Sequence, residues 1–258
     1  MENSSDDWFE QSIARRVAFE NSKKGSLSGD HCDRCNDKGI IYAIEQPGNY
    51  ELCYECECML PRRAVWAMQQ SGLSDLLDIY TFDTFKMDEA WQRKMGLSAA
   101  RYASDPNGWF FVGGQPGSGK THICTAICGE LLKSGRGVKY MTWVDEIRRI
   151  TGAANDFELY EAAIDKYKNA DVLYIDDLYK PVIDDWGKKK PPSPGTLRAT
   201  FEIINHRYMS RRSTIISTEH SITGIMDIDE ATGSRIYERA KDFCIDTGQD
   251  GKRNYRMG

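Results

Sequence analysis

Between residues 109 and 133 the chain runs from Trp109-Phe110-Phe111-Val112 through Gly113-Gly114-Gln115-Pro116-Gly117-Ser118-Gly119 into Lys120-Thr121 and a helix-forming run to Lys133. No other stretch narrows the possible folds as far. Its glycines permit backbone conformations closed to residues with a Cβ, and they sit between a buried strand and a helix. Gly114 to Thr121 meets the pattern G-x-x-x-x-G-K-[ST], in which main-chain N–H groups at a helix N-terminus face phosphate oxygens. In that pattern Lys120 brings a full charge to the β and γ phosphates, and the Thr121 hydroxyl ligates Mg²⁺. Gly114, Gln115, Pro116, Gly117, Ser118, Gly119, Lys120, Thr121 and the adjoining His122 are the expected nucleotide-binding residues.

Further on, Val172-Leu173-Tyr174-Ile175 is an apolar strand closed by Asp176-Asp177. A strand that ends in carboxylates beside a phosphate loop is where a hydrolytic site keeps its metal. Asp176 is expected to hold Mg²⁺ through water, and Asp177 to orient or deprotonate the attacking water.

The chain beyond residue 78 alternates in α/β fashion. Strands are expected at 109–112, 137–142, 171–175, 213–217 and 243–245, and helices at 121–133, 144–151, 156–168, 196–209 and 230–240. Such alternation implies a parallel sheet with helices on both faces. Ahead of it, residues 5–19 carry Trp8, Phe9, Ile13, Val17 and Phe19 among charges, an amphipathic helix pattern, and Pro61 opens a helix expected to run through Leu77. Residues 80–85, Tyr-Thr-Phe-Asp-Thr-Phe, read as an extended connector, which puts the domain boundary near residue 78.

Five of the eight cysteines, Cys32, Cys35, Cys53, Cys56 and Cys58, fall close together, while Cys124, Cys128 and Cys244 are scattered. Clustered thiols at ribbon spacing offer a tetrahedral zinc site, with one more thiolate than the ion needs. Generic knuckle spacing would use Cys53 with Cys56, and His31 is a weaker substitute. A module this small cannot bury enough apolar surface to fold unaided, so the ion would be structural. Cys124 and Cys128, four apart on a helix, are expected to be buried core residues.

The net charge of −5 is unevenly spread: residues 1 to 60 carry 12 acidic and 6 basic side chains, whereas 180 to 212 carry 8 basic and 3 acidic. Lys188-Lys189-Lys190, followed by Pro191-Pro192, either contacts phosphates of a nucleic acid or is a solvated loop. No apolar run is long enough to span a bilayer, and the acidic start lacks the features of a secretory signal, so a cytoplasmic protein is expected.

Together these residues resemble the bacterial and phage helicase loaders of the DnaC/DnaI type, in the initiator branch of AAA+ ATPases. The likeness covers most of the chain and includes residues 80–85, the Asp176-Asp177 pair, Ile204-Asn205-His206-Arg207-Tyr208 and Gly233-Ser234-Arg235. It implies an AAA+ ATPase domain over 79–258, with a short or absent helical lid, that binds ATP, Mg²⁺ and single-stranded DNA and assembles side by side. It also implies a zinc-ribbon-like domain over 1–78 that grips the replicative helicase. By the same likeness zinc falls to Cys32, Cys35, Cys56 and Cys58, the polar sensor to Thr218 with Ser217 next, the arginine finger to Arg239 and a supporting basic position to Arg235. Ser217-Thr218-Glu219 stands where many members have Asn, and the loop 179–195 is longer than the family needs. A transposase-helper ATPase, a zinc-dependent adaptor that uses ATP as a switch, and a small-molecule kinase are the other readings. The kinase would want a substrate lid between the phosphate loop and Asp176, and no such segment is found.

Overall fold

The computed structural model describes residues 4–28, 31–45, 50–183, 186, 188–248, 250 and 253, and separates into two compact units, Met1–Arg63 and Ala64–Gly258. The first holds helix α1 (Ser4–Ser22) and an antiparallel hairpin of β1 (Ile40–Glu45) and β2 (Tyr50–Glu55), flanked by two turns that carry cysteines. Of the apolar side chains in α1, Ile13 is buried while Trp8, Phe9 and Phe19 are exposed.

Helix α2 (Met59–Ser71) crosses the division and is followed by the short α3 (Ser74–Leu77). A single helix through Leu77 is therefore not formed. Gly72 takes the left-handed conformation, φ +82°, which ends α2, and Leu73 turns fully into the core of the second unit. The second unit thus begins at Ala64, ahead of the expected boundary near residue 78. Residues 80–85 are a turn rather than an extended connector: Thr84 Oγ1 accepts from Thr81 N at 3.0 Å and donates to Ile79 O at 2.8 Å.

Helix α4 (Ala90–Ser104), which has no counterpart in the expected elements, precedes β3 (Trp109–Gly113) and α5 (Lys120–Lys133). Then come β4 (Val138–Thr142), α6 (Trp143–Gly152), α7 (Phe157–Lys168) and β5 (Val172–Asp176). The long loop after β5 contains a small antiparallel hairpin, β6 (Val182–Ile183) with β7 (Lys189–Lys190). Next is α8 (Pro194–Met209), whose cap, Ser193, accepts from Thr196 N through its hydroxyl, with proline in the first turn. The rest is β8 (Ser213–Thr218), α9 (Ile222–Ile228), α10 (Glu230–Ala240) and β9 (Cys244–Asp246). The segment beyond β9, where the short or absent lid is expected, lies mostly outside the described residues.

The five long strands form one parallel sheet in the order β4-β5-β8-β3-β9. Both faces are covered, which is why the strands read as continuous apolar runs. Phe110, Val112, Val172 and Ile215 pack with Ile123 and Ile127 of α5 and Met95 of α4. Trp109, Phe111, Leu173, Ile175 and Ile216 pack on the other side with Ile147, Ile203 and Ile236. Cys124 and Cys128 are buried, and burial raises both thiols well above their ordinary range. No helix among the described residues is long and apolar enough to cross a membrane.

Arg207 of α8 ties helices to sheet. Fully buried, its guanidinium donates to the carbonyls of Tyr167, Lys168, Ala170, Asp171 and Ser213 and to Thr214 Oγ1, so its cost of desolvation is met by main-chain oxygens rather than by an acid. Replacing Arg207 by Met strands those carbonyls in a dry core, and should cost the second unit about 3 kcal/mol or more. Chemical denaturation followed by a nucleotide-independent signal such as tryptophan fluorescence checks this.

Candidate functional site

The strand β3 delivers the chain into the glycine loop at the carboxyl edge of the sheet. Gly114 has φ +134°, and a Cβ there would lie 1.9 Å from Thr247 Oγ1, while Gly117 and Gly119 also take positive φ. Glycine is required at 114 on both counts. The loop is latched from the far end of the chain: Thr247 N donates to Gly113 O at 2.9 Å, and the Gln115 side chain exchanges two hydrogen bonds of 2.7 Å with the main chain of Asp250. Gly119 then caps α5, which starts with Lys120 and Thr121.

Lys120 is 6% exposed, and its ammonium donates to Gly114 O and Gln115 O, both at 2.8 Å. Burial lowers its pKa, against the opposing field of Asp177 and Glu219. Thr121 Oγ1 donates to Asp176 Oδ1 at 3.3 Å, so the two expected magnesium residues touch. Asp176 itself is 7% exposed and sits in a cage of hydroxyls. Tyr174 reaches Oδ1 at 2.8 Å, Tyr140 reaches Oδ2 at 2.9 Å, and Ser217 Oγ also donates to Oδ1. Burial first, and then the Asp176 charge, raise both phenols, which remain protonated donors.

Asp177 has φ +60°, which breaks the strand's alternation and turns its carboxylate to the cavity that Lys120 lines. Its N–H donates to Ser217 Oγ at 3.1 Å and its Oδ2 accepts from Lys180 Nζ at 2.6 Å. The cavity holds about 380 Å³, and Thr121, Lys180 and Glu219 also border it. Aromatic rings border it as well. His122 stacks on Tyr80 with ring centroids 4.9 Å apart and meets the edge of Phe85 at 5.2 Å, while its Nε2 lies 2.9 Å from Thr81 O. Burial lowers the imidazole pKa, leaving a neutral ring at neutral pH.

The polar residues at the end of β8 are arranged otherwise than expected. Thr218 is fully buried and spends its hydroxyl on Leu178 O at 2.7 Å, so it presents nothing to the cavity. Ser217 is the hydroxyl that meets Asp176, and Glu219 is the residue of this segment that borders the cavity. Arg235 lies against Phe201 and Tyr208 and donates to Asn205 Oδ1 at 2.9 Å. Arg239 is half-buried on α10, and its Nε has no hydrogen-bond partner among the described residues. Neither arginine borders the cavity. Lys188, Lys189 and Lys190 are exposed on and beside the β6–β7 hairpin.

In the first unit, the Sγ atoms of Cys32, Cys35, Cys56 and Cys58 all lie within 4.8 Å of one another, while Cys53 is exposed on β2. A tetrahedral ion with Zn–S bonds of about 2.3 Å sets its sulfurs about 3.8 Å apart. Cys32 and Cys56 are 3.8 Å apart and Cys35 and Cys58 3.5 Å, so the donor set fits zinc. Burial opposes ionisation of Cys35, but the Gly39 amide and the neighbouring thiols outweigh it and draw its pKa to about 6. Burial and the neighbouring thiols push Cys58 up to about 12. Asp37 organises the first turn. It accepts from Cys32 N at 2.9 Å and lies 2.7 Å from His31 Nδ1. The other ring nitrogen of His31 faces Asp33 at 3.1 Å, so His31 is committed to carboxylates and is not a substitute ligand.

Comparison with known proteins decides the family. The model of the IstB-like ATP binding protein family matches residues 61–226. The chain belongs to this family. It is thereby an ATP-binding protein of the AAA+ ATPase class, and the parallel sheet with its glycine loop is the fold of that class. The phage-like element PBSX protein XkdC of Bacillus subtilis (strain 168) is 33% identical over 83% of this chain and 81% of its own. The replicative helicase loader DnaC of Buchnera aphidicola (subsp. Baizongia pistaciae) is 24% identical over 80% of this chain and 81% of its own. Among solved structures, the DnaC helicase loader superposes with a TM-score of 0.54 at 20% identity, covering 66% of this chain and 97% of that one. The chain spans about half the length of the DnaA initiator structures it also matches, 50% and 52%.

Several contributors to this IstB-like site were not expected from sequence: Tyr140, Tyr174, Lys180, Glu219, Thr247 and Asp250. Only Tyr174 leaves a signal, since it stands two residues before Asp176 and therefore shares its strand face. For the cysteines, Cys53→Ser should leave bound zinc at one per chain, measured by atomic absorption on purified protein. The pair Cys32→Ser with Cys35→Ser should lose the metal and unfold the first unit, with nucleotide affinity retained.

Proposed function

We propose that this IstB-like chain is an ATP-dependent loader of a replicative helicase. The observation that carries the reading is that Lys120, Thr121 and Asp177 border one cavity together with the rings of Tyr80, Phe85 and His122, and that Asp176 is hydrogen-bonded to Thr121. Main-chain amides of residues 114–121 would receive the phosphates, and Lys120 would trade two loop carbonyls for phosphate oxygens. Thr121 and Asp176 would hold Mg²⁺ between them, and a flat purine would lie beside Tyr80, Phe85 and His122. The magnesium neutralises charge on the leaving phosphates when bound.

In this reading Asp177 orients water in line with the γ-phosphorus and accepts its proton, and the products are ADP and phosphate. Arg239, set away from its own cavity, serves the γ-phosphate of a neighbouring copy, with Arg235 as a basic support, so subunits assemble on ATP. Turnover is expected to be weak, since a site completed only between subunits is incomplete in one. The zinc-bearing first unit grips the helicase, and the second, ATPase unit holds single-stranded DNA, both in the cytoplasm.

The relatives favour this reading over a transposase helper built on the same core. The DnaC loader of Buchnera aphidicola is matched over 81% of its own length, and in this chain a cysteine cluster precedes the ATPase unit. Hydrolysis separates the loader from an adaptor that only binds ATP. Phosphate release should rise with added single-stranded DNA and drop at least about a hundredfold in Lys120→Ala; turnover indifferent to both would sink the motor. Reversing Lys188, Lys189 and Lys190 together to Glu should weaken single-strand binding and flatten its salt dependence, read by fluorescence anisotropy across a salt series. Unchanged affinity at low salt removes the hairpin from the DNA-binding surface.

A further inference from the structure

Lys180 has no part in the roles above, yet it borders the nucleotide cavity. It follows Asp177 by three residues, and its Nζ lies 2.6 Å from Asp177 Oδ2 and 3.9 Å from Glu219 Oε1. Of the three lysines that line the cavity, Lys86, Lys120 and Lys180, the last two stand in different settings. Lys120 is buried and bonded to neutral carbonyls, whereas the Lys180 side chain is 45% exposed and paired with acids. The Asp177 hydrogen bond is the main reason its pKa is raised, so the ammonium keeps its charge over the working pH range.

The backbone beneath it is fixed. Leu178 N donates to Ser217 O at 2.9 Å, Thr218 Oγ1 donates to Leu178 O at 2.7 Å, and His220 Nε2 lies 3.0 Å from Tyr179 O. Asp177 and Tyr179 both hold positive φ, +60° and +55°. A rigid root under a flexible four-carbon stem lets the ammonium change acceptor without moving the chain.

Charge at this end of the cavity demands such a cation. Asp177 and Glu219 both face it, and a terminal phosphate would arrive against them. Like charges a few ångström apart in a partly buried cavity repel, so an unrelieved phosphate here would be opposed. A diphosphate, which lacks that group, would escape the penalty.

We propose that Lys180 is the residue that distinguishes ATP from ADP: it exchanges the Asp177 carboxylate for the terminal phosphate when a triphosphate binds. The exchange frees Asp177 to hold water only when there is a γ-phosphate to attack. This rests on reading the cavity as the nucleotide site. Lys180 is thus both a phosphate ligand and a positioning residue for Asp177.

The test is calorimetry on the full chain with Mg²⁺ and either ADP or a non-hydrolysable ATP analogue. Lys180→Met should weaken the analogue about tenfold or more and ADP by less than about threefold. Lys180→Arg, which keeps a cation on a long stem, should recover most of the analogue affinity. If Lys180→Met weakens both nucleotides equally, or neither, the proposal is overturned. It also fails if adding Glu219→Gln to Lys180→Met restores the analogue affinity, because the ammonium would then be only a counter-charge. Absence of binding in the unsubstituted chain would instead reject the nucleotide site itself, and wild-type-like melting of each variant shows that the fold is intact.

Discussion

A carboxylate at the end of a strand buried on both faces is expensive to desolvate unless its lone pairs are engaged, and Asp176 is such a group. Four hydroxyls meet it: Thr121 from α5, Tyr140 from β4, Tyr174 from its own strand and Ser217 from β8. Three neighbouring strands and the helix after the glycine loop are thereby fixed on one anion. The same contacts bring Thr121, which borders the cavity, against Asp176, so the packing that stabilises the carboxylate also joins the two residues proposed to hold magnesium. Ser217 extends the arrangement by accepting from the Asp177 amide, which sets the second acid at its unusual φ.

The glycine loop is held from two sides. Lys120 draws two of its carbonyls inward, and Thr247, Gln115 and Asp250 join it to the segment after β9. An element far along the chain therefore buttresses the glycine loop, and the positive φ of Gly114 allows the approach. The first unit follows different physics. With one buried side chain among the described residues of α1 and a two-stranded hairpin, it has little apolar surface to bury, and four convergent thiols take the place of a core.

Much of this was legible in the residues. From residue 109 onward the five sheet strands and most of the helices between them, though not Ile222–Ile228 or the 182–190 hairpin, follow from local pattern, as do the glycine loop, the acid pair and the cysteine cluster. Short-range physics decides them: a buried strand needs apolar runs, a phosphate loop needs glycine, and a metal turn needs closely spaced thiols. The misreadings have equally local causes. Residues 61–77 carry a continuous helical pattern, and the left-handed turn at Gly72 outweighs it because Leu73 gains a place in the core. Residues 80–85 look extended by composition, but Thr84 folds them into a turn against His122.

What sequence alone determined is the kind of chemistry: which groups can turn toward phosphates, which can ligate a hard cation and which can bind a soft one. Which residues meet was decided only by the tertiary structure. The sequence reading favours Thr218 over the adjacent Ser217, yet strand alternation sends Thr218 to Leu178 and Ser217 to Asp176. Tyr140 reaches Asp176 because β4 pairs with β5 in the register Thr142 to Asp176, and Lys180 reaches Asp177 because a positive φ folds the chain back on itself. Such contacts depend on register and backbone handedness across elements, and residue type and spacing along one segment do not encode them.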